Sequence, residues 1–202
     1  KGMGLDHRIG SKFLHAGPGF GGSCFPKDLA ALIQTGERHG QPMQIASAAS
    51  KVNDEQRKRM VTKIREALGG LKGKTVGMLG LSFKPNTNDL REAPALAIGQ
   101  ELLAEGAAIR AYDPEALEEA CRALPAVQAC RDAYHAAEGA DALIIMTEWN
   151  LFRNLEFGKL KAVMRSPVLL DLRNIYDPAR VAAEGFTYIS VGRQAQRPTA
   201  AP

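Results

Sequence analysis

Between Ile45 and Leu68 the apolar residues Ile45, Ala49, Val52, Met60, Ile64 and Leu68 fall mostly at helical spacing, and neither glycine nor proline interrupts the run from Met43. That spacing predicts one long helix over 43–68, stopped by Gly69 and Gly70. A helix of this length serves as a spine between domains or as a seam between subunits. Upstream, Leu29, Leu32 and Ile33 in KDLAALIQTGERHG mark a shorter helix that opens at Pro26 and stops between Gly36 and Gly40. The first ten residues, KGMGLDHRIG, read as the tail of a helix already under way, so the chain is expected to be a fragment.

After Gly73 the pattern switches to short, continuous apolar runs. KTVGMLGL (74–81), IRAYD (109–113), ALIIM (142–146) and VLLDL (168–172) read as strands, with a weak strand near Val127 and a last one from Phe186 to Ser190. Helical stretches lie between them at about 93–105, 115–124, 132–138 and 155–164. This alternation implies an α/β fold: a long central helix followed by a doubly wound, mostly parallel sheet covered on both faces. The chain then divides into a helical region, 1–70, a sheet domain, 71–192, and a flexible tail, 193–202.

Composition narrows the classes. With 202 residues and 45% hydrophobic content the chain can bury a real core. Its longest apolar run, around 140–146, is too short to cross a bilayer, and the first residues lack a signal-peptide apolar region, so a soluble protein without a membrane partner is expected. Three cysteines without CxxC spacing argue against a disulfide framework and a zinc site, and fit a reducing cytoplasm. The net charge of +4 is scattered and aromatics are only 6%, which disfavours nucleic acid as a partner. A modest positive excess suits an anionic small ligand.

Ligands of doubly wound sheets lie beyond the carboxyl ends of the strands. That rule selects GLSFKPNTNDLREAP after the first strand, YDP after the second and DLRNIYDP after the fifth. VGMLGLSF, which leads into the first block, supplies only Gly77 and Gly80 with no third glycine before the helix, and is not a complete dinucleotide fingerprint. The block's Lys84, Asn86, Asn88 and Arg91 offer donors for phosphate and sugar hydroxyls, or else form a solvated loop with Asp89 capping a helix. Arg173 either joins such a site or pairs with Asp171 or Asp177. In GPGFGGSCFPKD (17–28), Cys24 could be a small buried hydrophobe. Three features favour a nucleophilic thiol: glycines at 17, 19, 21 and 22 that allow backbone to approach a ligand, a helix start at Pro26 whose positive end suits a thiolate, and Asp28 one turn on, placed to orient water. Cys121 and Cys130 lack that setting and read as structural.

GPGFGGSCFPKD, GLSFKPNTNDLREAP, YDP and DLRNIYDP, in that order over nearly all of 3–192, resemble the UDP-glucose 6-dehydrogenase family. The resemblance implies a central helix forming a homodimer core and a C-terminal Rossmann-like domain binding the UDP-sugar. It implies NAD as cofactor, Cys24 as the nucleophile that passes through a thiohemiacetal and a thioester, and Asp28 as the residue assisting water. Phe83, Lys84 and Arg173 are implied as substrate-binding, with Phe13, Leu14, Gly17, Phe20 and Gly21 on the backbone loop along the substrate and Arg8 reaching it from a neighbouring subunit. Lys27 and Arg91 are implied on the cofactor side. The family's NAD-binding fingerprint is absent from residues 1–202, so this chain alone is expected not to turn over. GDP-mannose and UDP-N-acetyl-mannosamine 6-dehydrogenases share the plan, and a non-catalytic nucleotide-sugar-binding or dimerisation module is the rival from another class. An activated Cys24 separates the last from the rest.

Overall fold

The computed structural model describes residues 2–198. The opening segment is not a helix tail: it forms 3-10 turns at Met3–Leu5 and Ser11–Leu14. Gly2, Gly4 and Gly10 weaken helix formation there. α1 (Phe25–Arg38) and α2 (Gln44–Leu68) follow and pack together, with Pro26 in the first turn of α1. Gly69, at φ 65°, closes α2 in the left-handed conformation, and the amide of Gly70 returns to the Arg65 carbonyl at 3.0 Å.

The sheet unit runs β1 (Thr75–Leu79), α3 (Pro94–Ala104), β2 (Ala108–Tyr112), α4 (Leu117–Ala123), β3 (Val127–Ala129), α5 (Ala133–Ala137), β4 (Ala142–Ile145), a 3-10 turn (Asn150–Asn154), α6 (Phe157–Val163), β5 (Val168–Asp171), α7 (Pro178–Ala183) and β6 (Thr187–Ser190). Its six strands are parallel in the order β3-β2-β1-β4-β5-β6, which puts the topological switch between β1 and β4. α7 is the one helix that the hydrophobic pattern does not foresee. Its signal is chemical: Asp177 accepts the Arg180 amide at 2.9 Å as an N-cap, and Pro178 opens the first turn.

Strand alternation sorts the core into two layers. Val76, Met78, Ile144 and Leu170 face Met60, Val61 and Ile64 of α2 and Ile98 and Leu102 of α3. Leu79, Leu143, Ile145 and Leu169 face Ala136, Leu160, Val181 and Tyr188. The last turns of α2 therefore lie in the sheet's own core, and burying Ile64 alone contributes roughly 1.5–3 kcal/mol. Beyond β6 the chain turns back, and Gln196 exchanges backbone hydrogen bonds with Tyr188 at 2.8 and 2.9 Å, so the described part of the expected tail is tied to the sheet edge. Residues 199–202 of that expected tail lie outside the described residues.

Candidate active site

Two buried carboxylates shape the strand ends on either side of the switch point. Asp113, at the end of β2, accepts from the Leu81 and Ser82 amides (2.7 and 3.1 Å), the Ser82 hydroxyl (3.2 Å), the Trp149 indole (3.3 Å) and the Glu115 and Ala116 amides (2.9 and 2.8 Å). Its oxygens are spent on folding the loop after β1 and the turn after β2, so the YDP block positions that loop. Asp171, at the end of β5, accepts from the Arg173 and Tyr176 amides (both 3.0 Å) and the Tyr188 hydroxyl (2.8 Å). Burial pushes the Tyr176 phenol up to about 12 and drives Tyr188 higher still, with Asp171's charge adding to the second. Both phenols stay neutral donors, and DLRNIYDP is thereby fixed.

Arg173 leaves this turn and pairs with Glu148, which follows β4, instead of with Asp171 or Asp177. Its guanidinium then reaches Gly17: a Cβ there would stand 2.7 Å from Nη1. In the loop after β1, Asp89 caps no helix. Its carboxylate takes the Arg91 amide (2.9 Å) and guanidinium (3.0 and 2.8 Å), and Arg91 holds it below its usual range. Lys84 Nζ lies 5.3 Å from the centre of the Phe83 ring, and that ring fills the space beside Gly22, where a Cβ would come within 2.8 Å.

The glycines around Cys24 thus let the loop meet the protein itself. At Gly21 an added Cβ would stand 2.2 Å from the Glu92 carbonyl oxygen, and Gly22, at φ 93°, donates its amide to the Arg91 carbonyl at 2.8 Å. From α2, Asn53 accepts the Phe20 amide (2.8 Å) and donates to its carbonyl (3.2 Å), Gln56 donates to the Gly17 carbonyl (2.9 Å), and Arg57 donates to the Phe20 and Glu92 carbonyls (3.1 and 3.2 Å). Asn53, Gln56, Arg57 and Glu148 are the site-building residues that sequence reasoning did not single out. In the sequence QRKRM is a local basic cluster inside a helical pattern, and only the tertiary approach of the loop gives Gln56 and Arg57 a task.

Cys24 occupies the N-cap position of α1 and is exposed, its Sγ 3.6 Å from the Ser23 hydroxyl. Phe20 packs edge-on against Phe25 (4.7 Å between centroids), and Phe13 does so at 6.4 Å. Asp28, one turn along α1, pairs with Lys27 at 2.8 Å. Asp28 holds the Lys27 ammonium above its usual range, and Asp89 does the same for Arg91; the Cys24 charge adds a smaller push to each cation. The thiol therefore shares an electrostatic neighbourhood with both. A cleft of about 690 Å³ opens beside it, lined by Phe20, Ser23, Lys27, Asp54, Arg57 and Arg91 among others. Arg8 folds back on Asp6 (3.0 and 2.7 Å) in the opening turn, away from this cleft's lining. Cys121 and Cys130 are held above the usual thiol range by burial.

A solvent-facing thiol at a helix start, in a loop whose Lys27 lines a cleft together with Arg91, is suited to covalent chemistry on an anionic substrate. Among known proteins, residues 77–178 match the UDP binding domain of the UDP-glucose/GDP-mannose dehydrogenase family and residues 1–55 match its central domain. A UDP-glucose 6-dehydrogenase of Rhizobium meliloti (strain 1021) is 50% identical over 194 residues, covering 96% of this chain and 44% of the relative. UDP-glucose 6-dehydrogenase TuaD of Bacillus subtilis (strain 168) is 46% identical over 199 residues, 98% and 43% of the two chains. Among solved structures, a UDP-glucose dehydrogenase from the hyperthermophilic archaeon Pyrobaculum islandicum superposes with a TM-score of 0.79 at 38% identity, over 95% of this chain and 41% of that one. The chain spans less than half the length of these relatives. Sheet order, cysteine loop and both matched segments agree, and the chain belongs to the UDP-glucose/GDP-mannose dehydrogenase family.

Proposed function

We propose that this chain supplies the thiol and the nucleotide-sugar-binding residues for the NAD-dependent oxidation of UDP-glucose to UDP-glucuronate. The observation that carries the reading is the exposed Cys24 at the N-cap of α1, beside a cleft lined by Ser23, Lys27 and Arg91. The two UDP-glucose 6-dehydrogenases at 50% and 46% identity favour UDP-glucose over the mannose and N-acetyl-mannosamine sugar nucleotides.

In this reading Lys84 and Arg173 take the diphosphate, Phe83 and the 13–21 backbone line the sugar nucleotide, and Arg8 reaches it from a second subunit paired along α2. The exposed Ile45 and Val52 on α2 fit such a seam. Lys27 and Arg91, exposed cations at the cleft, fit the diphosphate of NAD. When bound, NAD would accept one hydride per molecule, so that two NAD molecules would take up the four electrons of the oxidation. Once the C6 alcohol has become an aldehyde, the Cys24 thiolate adds to its carbon and the oxygen takes a proton, giving a thiohemiacetal. Oxidation of that adduct leaves a thioester on Cys24. Asp28 orients the water that hydrolyses it, returning the thiol and a carboxylate. This chemistry needs a reduced thiol and so a reducing compartment such as the cytoplasm.

The test combines two measurements. UDP-glucose should slow iodoacetamide modification of Cys24 in this chain, and the chain joined to an NAD-binding domain of the family, given UDP-glucose and NAD, should form two NADH per UDP-glucuronate, with no UDP-glucuronate from Cys24→Ser. Absence of both protection and NADH would sink the proposal.

A further inference from the structure

The loop that carries Cys24 and the loop that carries Lys84 belong to different parts of the fold, and one side chain bridges them. Arg57 of α2 donates Nη2 to the carbonyls of Phe20 (3.1 Å) and Glu92 (3.2 Å), and its Nη1 lies 3.6 Å from the Glu92 carboxylate. Glu92 stands at φ 52°, in the left-handed region that a residue with a Cβ adopts only when its surroundings over-determine it. Here the carbonyl and the carboxylate of the same residue are both engaged by Arg57. The Gly22 amide donates to the neighbouring Arg91 carbonyl at 2.8 Å, so the two loops are registered backbone to backbone at this point. Among the described residues, the buried Nε of Arg57 has no partner. An orphaned buried donor costs stability, and Arg57 carries that cost while its other nitrogens hold the two loops together.

We propose that Arg57 is a positioning residue that sets the separation between the Cys24 thiol and a sugar nucleotide held on Lys84 and Arg173. The inference rests on the function proposed above. Without Arg57 the diphosphate is still captured, but the sugar C6 is no longer delivered to Sγ, and a shift of about 1 Å at a reacting centre costs on the order of a hundredfold in rate.

Arg57→Met and Arg57→Lys test this, with Lys63→Met as control, since Lys63 also ties α2 to the sheet, through the Ser190 carbonyl at 2.7 Å, away from the cysteine loop. Three quantities are read: UDP affinity by calorimetry, protection of Cys24 from iodoacetamide by UDP-glucose, and hydrogen exchange at the Gly22 amide. For Arg57→Met we expect UDP affinity within about twofold of wild type, protection reduced about tenfold or more, and faster exchange at Gly22 but not in β1. Arg57→Lys, which keeps the charge but has a single nitrogen in place of the two-pronged guanidinium fork, should fall between, and it carries the test if Arg57→Met does not fold. Lys63→Met should leave protection and Gly22 exchange unchanged. Wild-type protection in Arg57→Met, unchanged Gly22 exchange, or joint loss of UDP affinity and β1 exchange protection would each overturn the proposal. If UDP-glucose fails to protect wild-type Cys24, the proposed function falls, and Gly22 exchange alone then decides whether Arg57 registers the loops.

Discussion

Three thiols in one chain occupy three environments, and their reactivity should follow. Cys24 is exposed at a helix start, Cys121 is half-buried in α4 and Cys130 is buried beyond β3, where its Sγ lies 3.7 Å from the Gln128 carbonyl. Burial raises the latter two thiols, and the thiolate is the reactive form. Limiting iodoacetamide at neutral pH should therefore modify Cys24 about tenfold or more faster than Cys121 or Cys130, as read by peptide mass spectrometry. Equal labelling of all three in the folded protein would remove the main support for a nucleophilic Cys24. Arg173 shows the opposite limit of residue-level reasoning: its charge invites a pairing with Asp171 or Asp177, yet both acids are occupied by backbone amides, and Glu148 from the loop after β4 takes the guanidinium.

At the scale of elements, the glycine loop is a fitted part. Gly21→Ala would press a methyl group onto the Glu92 carbonyl, whose oxygen and carbon lie 2.2 and 2.9 Å from the ideal Cβ and are backbone that cannot rotate away. Overpacking of this kind typically costs ~1–3 kcal/mol, so Gly21→Ala should lower the melting temperature by roughly 2–4 °C per kcal/mol and loosen the Gly22 to Arg91 contact. A variant that melts with wild type and keeps slow Gly22 exchange would show that the loop can relax around the methyl. Element boundaries were largely legible because strand runs and the 43–68 helix carry strong local periodicity. α7 was not, since six residues give too few turns for a period, and its Asp-Pro start is the sole local cue. The chemistry of the cysteine loop was legible from GPGFGGSCFPKD. The partners that hold the loop, Asn53 and Arg57, were not, because their contacts cross 33 to 37 residues of chain.

Across the whole molecule the two ends of the sheet carry different tasks. The carboxyl ends gather Lys84, Arg91, Arg173 and the cysteine loop, whereas the opposite end is closed by Asp141, which accepts the Thr75 amide (2.8 Å) and the Arg165 guanidinium (2.8 Å) and lies 3.7 Å from Lys74. These contacts join the starts of β1 and β4 to the turn before β5. Burial alone would raise the Asp141 carboxyl, but the Thr75 amide and the two cations outweigh it and leave it below its ordinary value of 3.8. A carboxyl depressed in the folded state contributes stability that is present above its unfolded pKa and is lost as pH falls through its folded pKa. Asp141→Asn should thus cost about 1–3 kcal/mol at pH 7, with the gap to wild type constant down to about pH 5 and closing below about pH 4. Denaturant unfolding at stepped pH measures that gap. Because Asp141 lies across the sheet from the thiol, the same variant should leave Cys24 alkylation at wild-type rate wherever it is folded; a change in that rate would mean that the two ends of the sheet are coupled rather than independent.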